Sequence, residues 1–282
     1  MSNLICFSNN SFIPLSEAAL PVGDLGVQRG YGIFDFLRVS NNKPLYWDDH
    51  LERFFHSAKE MRLPIGLLKG EMKSIISELL QKNNLPHSGI RMMLSGGSSS
   101  DGYQIVTPNL VIIQQPLIPP ADQINEKGYI LASYPHQRQM PHVKTTDYLM
   151  AIWLQPWVKE IGADDILYQQ NGIVSECPRS NFFIVTKENK IVTPGRNILK
   201  GITRKQVLSL AVANGMIIEE RDISLDDIRL AKEAFIASST KRIVPVVQVD
   251  DKVFAPCTKE SVTVLLYDLL FNKEKETAAF LS

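Results

Sequence analysis

Short segments in which apolar and polar residues alternate recur along the chain, and this period of two predicts β-strands. The clearest segment is Ile33–Val39, while Leu4–Phe7 and Phe12–Pro14 flank the turn-forming pair Asn9-Asn10 as the two arms of a hairpin. Further strands are predicted at residues 44–47, 90–94, 110–114, 129–133, 165–169, 173–176, 181–186, 190–194, 216–220, 234–237 and 243–249.

Segments with a helical pattern lie between these strands, so the predicted fold class is α/β, in its α+β form. Two of them begin with the spacing of a capping box, Asp49 to Glu52 and Thr203 to Gln206, which predicts a helix start at each. The predicted helices cover residues 49–62, 69–82, 146–159, 203–214 and 258–271.

A polar, proline-rich stretch divides this pattern into two parts. Residues Gln115–Lys127, QPLIPPADQINEK, contain three prolines and no apolar period, which is typical of a linker. We therefore predict a small N-terminal α/β domain over residues 1–117, a linker over 118–127 and a larger C-terminal domain over 128–282.

Composition and charge exclude several classes of partner. Of the 282 residues, 44% are hydrophobic and 21% are charged, and the 30 basic residues balance the 30 acidic ones. Because no basic stripe is present, nucleic acid is not expected as a partner. The first ten residues lack the pattern of a signal peptide, and the apolar runs are too short to span a bilayer, so a membrane is not expected either.

The cysteines and histidines do not indicate a metal site. Three widely spaced cysteines, Cys6, Cys177 and Cys257, suggest neither a disulfide framework nor a zinc site, and the five histidines include no pair at i and i+4. We therefore expect no bound metal, and a reducing cytoplasm as the location.

Lys144 stands out within the segment MPHVKTTDYLM. No acidic residue lies three or four positions before it, so no helical ion pair in the favoured orientation explains it, and Asp147 follows at i+3. An ordinary surface charge is one interpretation, and an amine that does chemistry is the other.

Four other features gain meaning if Lys144 is catalytic. Gly201–Arg204, GITR, ends a loop and starts a helix, so its backbone N–H groups suit a phosphate. Ser238–Thr240 places hydroxyl groups between two predicted strands, Arg53 could bind a phosphate through two parallel bonds, and Glu176 could pair with a protonated ring nitrogen. Each feature alone has an ordinary structural interpretation, but together they suit pyridoxal phosphate, which needs a lysine, an acid and a phosphate site.

Five motifs occur in order along most of the chain: K-T-x-x-Y-L from Lys144, G-x-x-S-E-x-x-x-S-N-F-F, V-T-P, L-K-G-I-T-R and S-S-T-x-x-x-x-P-V. In this order and spacing the chain resembles the class IV aminotransferases, the fold-type IV pyridoxal-phosphate enzymes. Branched-chain aminotransferase, D-amino-acid aminotransferase and aminodeoxychorismate lyase belong to that family. The resemblance is strongest between Lys144 and Pro245.

The resemblance implies a role for each matching residue. Lys144 corresponds to the lysine that forms a Schiff base with the cofactor, Tyr148 to a tyrosine that bonds its phenolic oxygen, and Glu176 to the acid at its ring nitrogen. The implied phosphate ligands are Arg53, Ile202 through its backbone, Thr203 and Ser239, with Thr240 beside them, and Leu199 corresponds to an apolar residue on the ring face. The resemblance also implies a small α/β domain, a larger domain with a barrel-like core, a cofactor between them and a homodimer.

The implied substrate residues are Tyr31, Phe34, Arg38 and Arg91. D-amino-acid aminotransferases use a tyrosine where this chain has Phe34 and an Arg-x-His motif where it has Ser98–Gly102, so their carboxylate site is missing. Branched-chain aminotransferases carry an arginine at the position of Arg91. Where the family often has A-A-E or T-S-E, this chain has Thr240-Lys241-Arg242, and the two cations either favour an acidic substrate or form a surface pair.

The sequence therefore predicts an aminotransferase that uses a Schiff base on Lys144 to move an amino group from an L-amino acid, branched-chain or glutamate-like, to a 2-oxo acid. Within the family the alternatives are an aminodeoxychorismate lyase, which would eliminate pyruvate, and a D-amino-acid aminotransferase. A non-catalytic relative that binds cofactor or a protein partner is the alternative outside this class, and the presence of both Lys144 and Glu176 disfavours it.

Overall fold

The computed structural model describes residues 4–279, which fold into two compact units. The first unit contains residues 4–119, Val143–Asp147 and 277–279, and the second contains Pro120–His142 and Tyr148–Glu276. The division predicted from the sequence differs in one important place, because the segment that carries Lys144 belongs to the first unit. The ends of the predicted domains, residues 1–3 and 280–282, lie outside the described residues.

The first unit is one antiparallel sheet with helices. Its strands are β1 (Ile5–Ser8), β2 (Ser11–Pro14), β3 (Gly32–Ser40), β4 (Lys43–Pro44), β5 (Ser88–Ser95) and β6 (Leu110–Pro116), in the order β2-β1-β6-β5-β3-β4. Its helices are α1 (Leu25–Arg29), α2 (Trp47–Glu60) and α3 (Lys69–Asn83), and a 3-10 turn covers Leu15–Glu17.

The side chains of strand β3 alternate between the two faces of this sheet. Its alternate residues Ile33, Leu37 and Val39 are buried in one core together with Leu51 of α2 and Ile76 of α3. Because side chains alternate along a strand, the residues between them lie on the opposite face. The alternation in the sequence predicted β3 for this physical reason.

The second unit contains a curled, mixed sheet of eleven strands within the described residues. The strands are β7 (Tyr129–Pro135), β8 (Asp165–Gln170), β9 (Ile173–Val174), β10 (Glu176–Cys177), β11 (Ser180–Val185), β12 (Ile191–Thr193), β13 (Ile218–Glu220), β14 (Ile223–Ser224), β15 (Glu233–Ser238), β16 (Arg242–Val249) and β17 (Lys252–Val253). The helices are α4 (Leu149–Trp153), α5 (Gln155–Glu160), α6 (Ile202–Ala213), α7 (Leu225–Leu230) and α8 (Val262–Ala279).

Both faces of this sheet are buried. On β11, Phe182 and Ile184 belong to one core, while Phe183 and Val185 pack in a second core that also contains Val207 of α6. A strand covered on both sides needs apolar residues at consecutive positions, which explains the unbroken run FFIV, residues 182–185.

Several predicted elements differ from the structure. Neither capping box forms, because α2 begins at Trp47 behind Tyr46 (φ 53°), and α6 begins at Ile202 behind Gly201, which has no side chain to cap with. Of the predicted strand 44–47 only Pro44 lies in a strand, β4, since α2 already begins at Trp47. The single helix predicted for residues 146–159 is two short helices, α4 and α5, and starts only at Leu149.

Residues 4–279 contain no helix that combines the length and the apolar character needed to cross a membrane. Nor do three or more histidine, cysteine, aspartate or glutamate side chains in that range come together as a metal site would require.

Candidate active site

Lys144 lies on an extended segment of the first unit that runs antiparallel to the start of β3. The backbone N–H of Phe34 donates to the carbonyl oxygen of Lys144 at 3.0 Å, and the N–H of Thr146 donates to the carbonyl of Gly32 at 3.0 Å. The N–H of Lys144 in turn donates to the Ser57 hydroxyl of α2 at 3.3 Å. These bonds fix the backbone of Lys144, and its ammonium lies 4.6 Å from the centre of the Phe34 ring.

Phe34, Phe36 and Arg38 occupy alternate positions of β3 and therefore share the face away from the first unit's apolar core. Arg91 of β5 pairs directly with Phe36, and its guanidinium carbon lies 5.2 Å from the centre of the Phe34 ring and 5.4 Å from that of Phe36. Three of the four predicted substrate residues thus lie on one face, and Lys144 and Arg91 contact the same ring. Arg38 is buried on that face, two residues beyond Phe36.

Tyr31, the fourth predicted substrate residue, precedes β3. Its hydroxyl donates to the carbonyl oxygen of Met61 at 2.8 Å, and its backbone N–H donates to the carbonyl oxygen of Leu25 at 3.1 Å. Tyr31 therefore ties the loop before β3 to the end of α2.

Asp35 lies on the other face of β3 and is fully buried, where two side chains of α2 bind it. Arg53 donates from Nε to Oδ2 and from Nη2 to Oδ1, both at 2.8 Å, so the pair is bidentate. Nδ1 of His50 donates to Oδ1 at 2.7 Å. One edge of the Arg53 guanidinium thus faces Asp35, whereas Nη1 has no hydrogen-bond acceptor among residues 4–279.

The electrostatics of this network follow from its burial. Burial by itself would raise the pKa of Asp35, but the charge of Arg53 and the hydrogen bonds from Arg53 and His50 hold that pKa well below its ordinary value. Burial lowers the pKa of His50, and the charges of Arg53 and Lys144 lower it further against the opposing effect of Asp35. His50 is therefore neutral at pH 7, and Asp35 is the anion that holds Arg53 in place.

We expect Asp35→Asn to destabilise the first unit by about 3 kcal/mol, because removing one partner of a buried ion pair leaves Arg53 uncompensated. A depressed carboxyl pKa in the folded state gives stability that is present above the unfolded pKa, about 3.9, and is lost as pH falls through the folded value. The variant should therefore lose less stability than the parent protein between pH 5 and about pH 3. Urea unfolding of both proteins across this range measures the difference.

Asp48→Asn provides the matched control, since Asp48 is also paired with a cation of the first unit, Lys73, but its side chain is 78% exposed. We expect it to change the free energy of unfolding by no more than about 0.5 kcal/mol. Equal effects of the two variants would show that the Asp35 network does not act as a buried ion pair.

Glu176 of the second unit is a buried carboxylate with a cation beside it. Its Oε1 accepts from Nη1 of Arg138 at 2.8 Å, and its Oε2 accepts from the backbone N–H of Leu199 at 3.0 Å and from Nδ2 of Asn181 at 3.3 Å. Glu176 is only 4% exposed, which excludes an ordinary surface acid that faces water. Sequence reasoning missed Arg138, because a single arginine in a loop carries no periodic or spacing signal.

Asn181 joins the parts of this second-unit site. Besides bonding Glu176, its Nδ2 donates to the carbonyl of Leu199 at 2.7 Å, and it pairs with Ala237 across β11 and β15. A Cβ on Gly201 would collide with its Oδ1, so only glycine fits there. The start of α6 and the turn after β15 consequently lie at the same end of β11.

The residues at that end suit a phosphate group. The first N–H groups of a helix have no partner within the helix, and those of α6 begin at Ile202 and Thr203 behind an N-cap without a side chain. The hydroxyl groups of Ser239 and Thr240 lie in the turn after β15, and the buried hydroxyl of Ser238 has no hydrogen-bond partner in the described chain. An anion with several acceptor oxygens would satisfy donors of this kind.

Arg242 corrects one prediction, because it is neither a surface charge nor a group at a substrate entrance. It is buried, its Nε donates to Glu274 of α8 at 2.6 Å, and its Nη1 donates to the carbonyl of Ala121 at 2.6 Å. Lys241 is turned inward as well, with Nζ 3.9 Å from Oδ2 of Asp165.

Tyr148 is the N-cap residue of α4 and belongs to the second unit, whereas Lys144 belongs to the first. The predicted helix start at residue 146 is wrong, since no helix connects the two residues. Backbone bonds from Lys144 and Thr146 to β3 replace the helix there.

Comparison with known proteins places this geometry in a family. Residues 32–249 match the model of the family described as amino-transferase class IV. A D-alanine aminotransferase of Bacillus licheniformis is 27% identical over 95% of this chain and 98% of its own length, and a putative branched-chain-amino-acid aminotransferase of Methanocaldococcus jannaschii is 31% identical over 88% of each. The crystal structure of the Escherichia coli branched-chain amino acid aminotransferase superposes with a TM-score of 0.87 at 22% identity, covering 96% of this chain and 95% of that one.

The family match covers most of the chain and includes Lys144, Glu176, Ile202 and Thr203. The curled sheet of the second unit agrees with the fold-type IV architecture, so the predicted fold class is confirmed. The cofactor and the class of reaction predicted from the sequence are confirmed as well. The chain belongs to the class IV aminotransferase family and is a pyridoxal-phosphate-dependent transaminase.

Proposed function

We propose that this transaminase moves the amino group of an L-amino acid, branched-chain or glutamate-like, to a 2-oxo acid. The observation that carries the proposal is the position of Arg91 between Phe34 and Phe36. A half-buried guanidinium is ordinarily paired with an acid, yet no acidic side chain lies within ion-pair distance of Arg91 among residues 4–279. Its two aromatic neighbours hold the cation in place, so a carboxylate from the substrate is the natural partner.

Lys144 supports the same assignment, since its ammonium and the Arg91 guanidinium contact one ring, that of Phe34. An amino acid carries an amino group and a carboxylate a few bonds apart. Arg91 would bind the carboxylate and orient the substrate towards Lys144.

We assign the covalent attachment of the cofactor to Nζ of Lys144. Bound pyridoxal phosphate supplies an aldehyde that reacts with amines and a ring that accepts electrons. Nζ of Lys144 would also remove the proton from Cα of the substrate and return a proton in the second half of the reaction. Its fixed backbone supports this role, because a proton carrier must return to the same place in every turnover.

Glu176 is proposed to hold a proton on the ring nitrogen of the cofactor. Its negative charge is fixed by Arg138, Asn181 and the backbone of Leu199, which supports a preorganised electrostatic partner. Leu199 is proposed to pack on the ring face, and the hydroxyl of Tyr148 to donate to the phenolic oxygen.

The phosphate is proposed to bind the backbone N–H groups of Ile202 and Thr203, the hydroxyls of Ser239 and Thr240, and Arg53. Arg53 would donate to the phosphate from Nη1, because Asp35 binds its Nε and Nη2. These donors provide positive potential and several N–H and O–H groups, as a phosphate dianion requires.

We further propose a homodimer in the cytoplasm. Leu149, Ile152 and Trp153 of α4 are 72%, 64% and 64% exposed, and an apolar patch of this kind favours self-association. All three cysteines of the chain are unpaired, which agrees with a reducing compartment.

The test is a donor panel: L-glutamate, L-leucine, L-valine, D-alanine and D-glutamate, each with a 2-oxo acid acceptor. We expect conversion of the L-amino acids, and in Arg91→Met we expect KM for L-glutamate to rise about tenfold to a hundredfold with a smaller change in kcat. Loss of a charged hydrogen bond to the substrate explains that range. Lys73→Met, which removes a cation stacked on Trp47 of α2, is the control.

Two results would contradict the proposal. Conversion of D-alanine but of no L-amino acid would point to a D-amino-acid aminotransferase with a different carboxylate site. Release of pyruvate from aminodeoxychorismate without any amino acceptor would point to the lyase.

A further inference from the structure

The turn between β15 and β16 carries the hydroxyl groups assigned to the cofactor phosphate, and both residues that follow those hydroxyls are anchored. Ser238 and Arg242 face each other in register, so Ser239–Lys241 form a three-residue hairpin loop. Arg242 closes the loop with φ 59°, a left-handed conformation that is unfavourable for any residue with a Cβ. Such a conformation persists only where the surrounding structure holds it.

Arg242 holds its side of the loop through α8 and the start of the second unit. Its guanidinium bonds Glu274 and the carbonyl oxygens of Pro120 and Ala121, and its carbon lies 4.7 Å from the centre of the Phe271 ring. These contacts within the second unit explain why the guanidinium of Arg242 is buried.

Lys241 extends in a different direction, to Asp165 at the start of β8. Nζ lies 3.9 Å from Oδ2 of Asp165 and 4.7 Å from the centre of the Tyr129 ring. Both Nζ and Oδ2 are buried without a hydrogen-bond partner in the described chain, whereas Oδ1 accepts from the N–H of Ile166 at 2.9 Å. A separation of 3.9 Å is too long for a direct hydrogen bond, so this pair returns little of the cost of burying two charges.

A buried ion pair with little direct stabilisation needs another reason to be present. Lys241 directly follows Thr240, so the contacts of its side chain with Asp165 and with the Tyr129 ring restrict where the loop hydroxyls lie. We propose that the Lys241–Asp165 pair is a positioning device for phosphate binding: it holds Ser239 and Thr240 where they meet the cofactor phosphate. The inference rests on the proposed roles of Ser239 and Thr240.

Comparing the binding of pyridoxal phosphate with that of pyridoxal distinguishes this positioning role from a merely structural one. Pyridoxal has the aldehyde and the ring of the cofactor but lacks the phosphate. The dissociation constants of pyridoxal phosphate and pyridoxal are measured by fluorescence titration of the full-length apo protein. In the double variant Lys241→Met, Asp165→Asn, which removes both buried charges together, we expect the preference for the phosphorylated form to fall roughly tenfold, as when a supporting partner of a ligand is removed elsewhere. The affinity for pyridoxal should stay unchanged.

Two further variants make the test decisive. Lys241→Arg keeps the charge and should retain most of the preference for phosphate. Lys252→Met is the matched control, since Lys252 also stacks on a ring, that of Phe254 at 5.2 Å, but lies in β17 beyond the other end of β16. Thermal unfolding of each apo variant by circular dichroism shows whether the fold is intact.

Equal weakening of both ligands in the double variant, or an unchanged preference for phosphate, would overturn the inference and leave the proposed function standing. If the parent protein itself binds pyridoxal as tightly as pyridoxal phosphate, the proposed phosphate site fails and this inference fails with it.

Discussion

Replacing Lys144 with alanine is expected to reduce transaminase turnover by at least about 1,000-fold, because the variant loses both the attachment point and the proton carrier. Lys144→Arg should be nearly as inactive. Arginine keeps the positive charge over Phe34, but its guanidinium does not give up a proton near pH 7. Steady-state rates and the visible absorption of the protein with added cofactor measure both losses.

Chemical labelling shows whether the loss comes from the amine itself. Borohydride reduction of the parent protein with cofactor, followed by peptide mass mapping, should place the label on Lys144, and Lys59→Ala, at an exposed site of α2, should label and react normally. Small primary amines added to Lys144→Ala should restore part of the turnover. A label on another lysine, or full activity in Lys144→Arg, would show that Lys144 only packs against Phe34.

The role of Lys144 could be predicted from the order of motifs, but the structure that holds it could not. The residues after it, TTDYLM, favour a helix when considered locally. The backbone groups of Lys144 and Thr146 instead bond β3, more than a hundred positions earlier in the chain, and Ile33 and Thr145 form an isolated bridge, so the helix begins only at Leu149. A local pattern cannot report a partner so distant in sequence, and here the distant partner determines the conformation.

The partners of charged residues could not be predicted from the sequence for the same reason. The sequence predicts Arg53 as a phosphate ligand. The structure gives it a buried partner, Asp35, which depends on how α2 packs on β3. Arg242 has a partner 32 positions away in α8, so its spacing to neighbouring charges contains no sign of its burial.

Apolar strands could be predicted with fewer errors, because burial affects every residue of the element. The alternation in Ile33–Val39 predicts a strand with one buried face, and the unbroken apolar run of residues 182–185 in β11 predicts a strand with two buried faces. A polar site depends instead on a few pairs of atoms. Arg138 illustrates the difference, since its role becomes visible only once the structure shows that it donates to Glu176.

Glu176→Gln should lower kcat between about 100-fold and 1,000-fold, the loss that follows removal of one preorganised electrostatic partner. Glutamine has a similar shape, but it has no charge to hold a proton on a ring nitrogen. Its amide N–H groups would also face donors from Arg138, Asn181 or Leu199, which leaves one of them without an acceptor. Single-turnover rates of the half-reaction with L-glutamate measure the chemical step directly.

Arg138→Met tests whether the arginine acts through Glu176, because two residues that act on one step through a shared bond have non-additive effects. We expect Arg138→Met to slow the half-reaction less than Glu176→Gln does, and the double variant to be about as slow as Glu176→Gln alone. Glu219→Gln is the control: Glu219 also binds a cation at 2.8 Å, that of Lys190, but on the exposed edge of the second unit. Additive losses in the double variant would mean that Arg138 has a separate role, and unchanged turnover in Glu176→Gln would remove Glu176 from the reaction and leave it as a structural acid of β10.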